Sequence, residues 1–285
     1  QLPSPLQKIE TALTQQLHIN LFIKRDDLIH PEITGNKWRK LKYNIEQAKL
    51  ENKDTLLTFG GAYSNHITST AAAGKYLGLK TIGIIRGEEH TPLNKSLQFA
   101  KDGGMKLIYA DREMYKDKDK CLGSWLLDPD STFILPEGGA NELALKGCAE
   151  IVNELEIDFD YICSACGTGT TIAGIASNLK PHQQAIGFAV LKHEKLQEEI
   201  TDKYSIQTSK LSIQNYPFSG YAKTTPELIQ FIKDFYNQHQ ILLDYVYTGK
   251  LMFGIFDLMA KNYFRENSTI IAVHTGGVTN ANVFE

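Results

Sequence analysis

Short apolar runs alternate with helix-length segments along nearly the whole chain, and this alternation narrows the possible folds more than any single motif. Leu21 to Lys24 reads as a strand, left by the loop Arg25-Asp26-Asp27. Thr55 to Phe59 is an apolar strand closed by Gly60-Gly61, and a small-residue helix through Ala71, Ala72 and Ala73 follows, stopping near Gly78. Lys80 to Ile85 is the next strand. The segment Pro92 to Lys101 reads as a helix with Leu93, Leu97 and Ala100 on one face, and Met105 to Tyr109 and Thr132 to Leu135 are further strands. Strands separated by helices of about ten residues pair in parallel, so the chain is expected to be α/β.

The second half repeats the rhythm. Ala144, Cys148, Ile151 and Leu155 form a helical stripe; Tyr161 to Ser164 is a strand; Ile172, Ile175, Ala176 and Leu179 continue as a helix; Ala185 to Val190 and Thr269 to Val273 are strands. Leu228, Phe231, Ile232 and Phe235 make one more helical stripe, and Met252, Ile255, Phe256 and Met259 another. The polar, poorly periodic stretch Lys192 to Lys210 is expected at the surface. Asp111 to Lys120, dense in charges of both signs, is expected as a solvated helix or loop. No short-period repeat or low-complexity linker marks a boundary.

Composition excludes several classes of function. With 285 residues, 42% hydrophobic and 22% charged, the chain suits one large or two medium domains. A formal charge of -3 favours neither nucleic acid nor an anionic membrane surface. No apolar run approaches the ~20 residues of a membrane span. The start, with Pro3 and Pro5, lacks a secretion signal's basic and apolar regions. Four cysteines are too few for a disulfide scaffold, so a cytoplasmic protein is expected.

Four stretches could carry chemistry. In Gly35-Asn36-Lys37-Trp38-Arg39-Lys40, Lys37 follows a glycine turn and opens a helical run with Leu41, Ile45 and Ala48 behind it. A lysine buried among apolar neighbours loses ammonium solvation, which frees its amine for a Schiff base with a carbonyl compound; the bland alternative is a solvated surface lysine. In Gly167-Thr168-Gly169-Thr170-Thr171 a strand feeds a glycine-threonine turn and a helix starts at once. Glycines let backbone N–H groups approach an anion and the helix dipole assists, so this reads as a cup for a single phosphate, against an ordinary tight turn. A dinucleotide fingerprint would need glycine where Ile172 stands, and Gly249-Lys250 lacks the rest of a triphosphate loop. Ser64-Asn65-His66 offers a hydroxyl, an amide and an imidazole at a helix start, where a plain N-cap is the simpler reading. Cys163-x-x-Cys166 reads as small buried residues in a tight βα junction, since nothing completes a metal site. Tyr221 and Tyr247-Thr248-Gly249-Lys250 are loop residues with little signal alone.

Taken in order, these segments resemble the pyridoxal-phosphate enzymes of fold type II, and more narrowly the family of 1-aminocyclopropane-1-carboxylate deaminase and D-cysteine desulfhydrase. The resemblance runs through Ile23-Lys24-Arg25-Asp26-Asp27, Gly35 to Lys40, Gly60-Gly61-Ala62-Tyr63-Ser64-Asn65-His66, Gly167 to Thr171, Tyr247 to Lys250 and His274-Thr275-Gly276-Gly277. It implies a tryptophan synthase β-like fold of two open, twisted α/β domains with the cofactor between them: a large domain of residues 1–40 and 141–285 and a small one of 41–140. It implies pyridoxal 5'-phosphate on Lys37, with Asn65 on its phenolic oxygen, Gly167, Thr168, Gly169, Thr170 and Thr171 around its phosphate, Lys40 assisting, and Thr248 beside its pyridine nitrogen. Ser64, Asn65 and His66 would line the substrate carboxylate site; Tyr221, Tyr247 and Thr275 would face the substrate; and Lys37, Ser64, Tyr221 and Tyr247 would carry catalysis. A homodimer acting on a small amino acid is expected. Two departures stand out. Thr68 occupies a place where the family often has arginine, and the chain ends soon after His274-Thr275-Gly276-Gly277.

Two reactions fit the resemblance. One is β-elimination, turning D-cysteine into pyruvate, ammonia and hydrogen sulfide; the other opens the ring of 1-aminocyclopropane-1-carboxylate to give 2-oxobutanoate and ammonia. The deaminases resembled here carry glutamate where this chain has Thr248, and tend to carry an apolar residue where it has Thr275. Both positions therefore favour elimination. A non-catalytic phosphate-ligand binder on the same fold and a dinucleotide-dependent oxidoreductase are the readings from other classes.

Overall fold

The computed structural model describes residues 2–124, 128–216, 220, 222–277 and 283–284, with the side chains of 120, 121 and 124 left out. The strands in chain order are β1 (Leu6–Ile9), β2 (Asn20–Lys24), β3 (Thr55–Gly61), β4 (Lys80–Arg86), β5 (Met105–Ala110), β6 (Thr132–Leu135), β7 (Tyr161–Cys166), β8 (Gln184–Ala189), β9 (Leu211–Asn215) and β10 (Thr269–Val273). The chain forms two compact units, Gln1–Asn36 with Leu145–Glu285, and Lys37–Ala144. Both are α/β, as the alternation of strands and helices predicts.

The first unit is built on a six-stranded sheet in the order β1-β2-β10-β7-β8-β9, parallel except for β1, which runs antiparallel to β2. Every residue of the central strand β7 is buried, as expected for a parallel strand with helices on both faces. One face packs Leu21, Phe188, Ile232, Leu251 and Met259; the other packs Ile162, Ile172, Ile175, Ile200 and Val273. Cys163 belongs to the first core and Cys166 to the second, because a three-residue offset along a strand points side chains to opposite faces. Both are free thiols, and burial pushes that of Cys163 up. The pair is therefore packing rather than a redox couple.

The second unit carries a four-stranded parallel sheet, β5-β4-β3-β6. After β3 the chain turns into the helix Asn65–Leu77, capped by the Ser64 side chain and closed by Gly78 in the left-handed region.

Several local expectations need correction. The segment 192–210 is not simply surface: it holds the helix Leu196–Tyr204, whose Leu196, Ile200 and Tyr204 are buried. These apolar residues recur every fourth position, and the charged residues between them mask the stripe. The helix expected from Pro92 begins at Lys95, because the Asn94 side chain accepts from the Leu97 N–H at 2.9 Å and so caps it there. The charged run 111–120, by contrast, is the largely solvated helix expected there: it contains the helix Arg112–Lys116 and the start of Lys118–Ser124, with Tyr115 buried within it under the Lys118 ammonium. Strands β1 and β9, both at sheet edges, carry too few apolar residues to stand out in the sequence.

Candidate active site

In the first unit, Gly35 holds a left-handed backbone with φ of +54° and lies so close to the end of β10 that a Cβ would sit 2.0 Å from the Thr275 carbonyl oxygen. Only glycine fits there. The Asn36 N–H donates to that same carbonyl at 3.3 Å, and the Asn36 side chain donates to Thr171 Oγ1 at 2.8 Å. Gly35-Asn36 is thus clamped both to the strand end carrying Thr275 and to the glycine-threonine turn. Lys37 is the next residue along the chain.

That turn lies between β7 and the helix Thr170–Ala176. Gly169 has φ of +79°, and a Cβ on it would lie 2.4 Å from Cγ1 and Cδ1 of Ile200. The Thr170 hydroxyl is buried against the Tyr204 hydroxyl at 2.9 Å. The helix Leu196–Tyr204 therefore braces the turn from behind. Gly167 stands beside the Tyr247 ring, whose Cε1 would be 3.5 Å from an added Cβ. The first N–H groups of a helix have no acceptor within it, so Gly167 to Thr171 presents backbone donors and the positive end of the helix dipole.

Thr248 opens the helix Thr248–Ala260 and is buried. Its hydroxyl donates to Asp244 Oδ1 at 2.6 Å and accepts from the Asp244 N–H at 2.9 Å. The fully buried Asp244 carboxylate also accepts from the N–H groups of Val246, Tyr247 and Thr248 at 2.8–2.9 Å. Lys250, also buried, donates to the Gly220 carbonyl at 2.9 Å. Burial pulls its ammonium below the ordinary lysine range, and Asp244 opposes that shift. Tyr221 lies outside the described residues. His274 donates from Nε2 to the Leu242 carbonyl at 2.8 Å, while its Nδ1 accepts from the Gly276 N–H at 3.3 Å. Residues Lys24 to Asp27 brace the unit: Lys24 is bound by Ser4 O and Glu154, Asp26 by Ser4 Oγ, and Asp27 by a fork from Arg25.

In the second unit, Lys37 and Lys40 lie one turn apart at the start of the helix Asn36–Leu50. Lys40 is buried, and its Nζ donates to the Gly138 carbonyl at 3.0 Å. Ser64 Oγ accepts from the His66 and Ile67 N–H groups, which leaves its own proton to donate elsewhere. Asn65 is the first helical residue, and its carbonyl accepts from the Thr68 hydroxyl at 3.1 Å. His66 is 1% exposed, and neither ring nitrogen has a partner among the described residues. Burial, then the Lys37 and Lys40 ammonium groups, hold its imidazole well below the ordinary histidine range, so it is neutral. The turn at Gly138-Gly139 closes over this cluster: a Cβ on Gly139 would stand 3.2 Å from His66 Cε1 and 3.4 Å from Lys40 Cβ. Lys37, Lys40, Ser64, Asn65 and His66 are therefore gathered in one unit, and Gly167 to Thr171, Tyr247, Thr248 and Thr275 belong to the other.

Sequence reasoning missed Asp244, the Ile200 and Tyr204 brace, and Gly138-Gly139. For Asp244 a usable signal existed, an aspartate just before a helix start, whose side chain can bond backbone N–H groups a few residues on. For the brace there was none, since it depends on a helix not evident in the sequence. In the one unit an imidazole without a partner among the described residues, beside two lysines, suits a group bearing an aldehyde. In the other unit a braced cradle of backbone donors suits a group bearing a phosphate. Among the described residues no helix is long and apolar enough to cross a membrane.

Residues 1–276 match the family described as pyridoxal-phosphate dependent enzyme. A putative 1-aminocyclopropane-1-carboxylate deaminase of Pyrococcus horikoshii is 31% identical, over 97% of this chain and 90% of its own length. A mitochondrial bifunctional D-cysteine desulfhydrase/1-aminocyclopropane-1-carboxylate deaminase of Arabidopsis thaliana is 30% identical, over 90% of this chain and 72% of its own. The crystal structure of an ACC deaminase homologue superposes with a TM-score of 0.84 at 29% identity, covering 99% of this chain and 91% of that one. With two sheets of fold type II architecture and this match over most of its length, the chain belongs to the family of pyridoxal-phosphate-dependent enzymes.

Proposed function

We propose that this enzyme eliminates a β-substituent from a small amino acid, with D-cysteine as the best substrate. Water completes the reaction, which yields pyruvate, ammonia and hydrogen sulfide. The observation that carries the choice is Thr248, a neutral side chain held in place by Asp244 where the deaminases resembled here carry a glutamate. Bound pyridoxal phosphate supplies an electron sink for the carbanion left when an amino acid loses its α-proton. Ring opening of the cyclopropane has no α-proton to lose and depends more heavily on that sink.

The chain's residues take the following roles in this reading. Lys37 Nζ holds the cofactor aldehyde and, once released, takes the α-proton. The backbone donors of Gly167, Thr168, Gly169, Thr170 and Thr171 hold the phosphate, with Lys40 adding charge. Asn65 bonds the phenolic oxygen, and Thr248 stands against the ring nitrogen. Ser64 donates its uncommitted proton to the substrate carboxylate, and neutral His66 lines the same site without adding charge. Tyr221, Tyr247 and Thr275 face the substrate. On the same reading the enzyme works in the cytoplasm, where Cys148, Cys163 and Cys166 stay reduced, and as a homodimer, which sedimentation checks.

The decisive assay measures 2-oxo acid released from D-cysteine, L-cysteine, D-serine and 1-aminocyclopropane-1-carboxylate. We expect the highest kcat/KM for D-cysteine. A higher value for the cyclopropane substrate would replace this reading with deamination, the activity named for the Pyrococcus relative.

A further inference from the structure

A hydroxyl at position 248 can donate to or accept from a group beside it, and its hydrogen bonds within the chain decide which. Thr248 Oγ1 has one proton, and it points at Asp244 Oδ1, 2.6 Å away. One lone pair of the same oxygen receives the Asp244 N–H at 2.9 Å. After the bond to Cβ, a single lone pair remains. The proton has little freedom to turn outward. Three backbone N–H groups already converge on the buried Asp244 carboxylate, which accepts and never donates when ionised, and the Thr248 proton completes its shell. Lys250 adds a positive charge whose field reaches the same carboxylate.

We infer that Asp244 is a positioning residue that fixes Thr248 as a hydrogen-bond acceptor, so that the group standing against Thr248 must itself bring a proton. Resting on the proposed function, this makes the pyridine nitrogen protonated in the holoenzyme. The carboxylate acts on the ring through one intervening hydroxyl. Its pull is weaker than that of a carboxylate in direct contact, yet it favours the ring proton. The enzyme therefore retains a minor, Asp244-dependent capacity to open the cyclopropane substrate.

The test uses holoenzyme loaded with pyridoxal phosphate labelled with ¹⁵N in the ring, whose nitrogen resonance moves far upfield on protonation. The parent is expected at the protonated position. In Asp244→Asn the amide donates to Thr248 Oγ1, the hydroxyl turns outward, and the resonance is expected to move downfield to the unprotonated position. Should that variant not fold, Thr248→Val leaves the buried carboxylate in place but removes the acceptor, with the same downfield shift expected, and Thr248→Ser is expected to restore the parent position. A merely structural role for Asp244 would lower stability without moving the resonance. An unprotonated nitrogen in the parent, or a protonated one in both Asp244→Asn and Thr248→Val, would overturn the inference while leaving the proposed function standing. A parent that forms no borohydride-reducible adduct would overturn both.

Discussion

Replacing Gly169 by alanine separates what the glycine-threonine turn does for the fold from what it does for a ligand. The left-handed backbone at position 169 costs a residue with a Cβ about 1–2 kcal/mol. The added methyl also lies 2.4 Å from Cγ1 and Cδ1 of the buried Ile200, an overlap that costs about 1–3 kcal/mol. Gly169→Ala should therefore destabilise the enzyme by about 2–5 kcal/mol. Ile200→Ala alone leaves a cavity and costs about 2–5 kcal/mol. In the double variant both overlapping atoms are gone and the alanine methyl occupies part of the hole, so the two effects should fall short of their sum by about 1–3 kcal/mol. Thermal melting reads this as a recovery of about 2–4 °C per kcal/mol. Strict additivity would mean that Ile200 does not brace the turn. Gly167→Ala is the counterpart: its Cβ would meet nothing closer than the Tyr247 ring at 3.5 Å, an ordinary contact, and its backbone is not left-handed. Stability should barely change while cofactor affinity falls. If Gly167→Ala binds pyridoxal phosphate as tightly as the parent, the phosphate is held elsewhere.

Three further expectations follow from the same geometry. Lys37→Ala should abolish both the borohydride-reducible adduct and 2-oxo acid release, and an adduct that persists would mean that another lysine carries the cofactor. Thr248→Glu alone should fail to improve ring opening, because the new carboxyl would be buried against Asp244 and held neutral. Combined with Asp244→Asn it should shift kcat/KM toward the cyclopropane substrate, and equal selectivity in the single and double variants would contradict this. His66 is neutral in the folded protein and its imidazole sits well below the ordinary range, so below about pH 6.5 the unfolded chain binds a proton that the folded one refuses. Its contribution to stability is therefore present above that pH and declines as pH falls toward the folded value. A melting curve from pH 7.5 to 5 should be flatter for His66→Asn than for the parent; parallel curves would show that His66 does not contribute.

Much of the architecture follows from local pattern. Strands such as Thr55 to Phe59 and Ala185 to Val190 announce themselves because both of their faces are buried, and a strand covered on both faces must be apolar throughout. Ser64 and Gly78 mark a helix by chemistry that acts within one turn. Gly35-Asn36-Lys37, Ser64-Asn65-His66 and the glycine-threonine turn were visible as candidates for the same reason. That all of them belong to the motif set of one family was visible only as an ordered resemblance.

What only the tertiary structure decides is the partner of each polar atom. Nothing in the sequence says that the Thr248 proton belongs to Asp244, because a hydroxyl donates or accepts according to what stands beside it. Nor does it say that Ile200 and Tyr204, in a stretch too polar to read as buried, support the turn at Gly169 and Thr170, or that His66 has no partner among the described residues beside two lysines. Periodicity records which face of an element is apolar. The direction of a hydrogen bond and the charge state of a buried ring depend on residues distant in sequence, and these exist as neighbours only once the chain has folded.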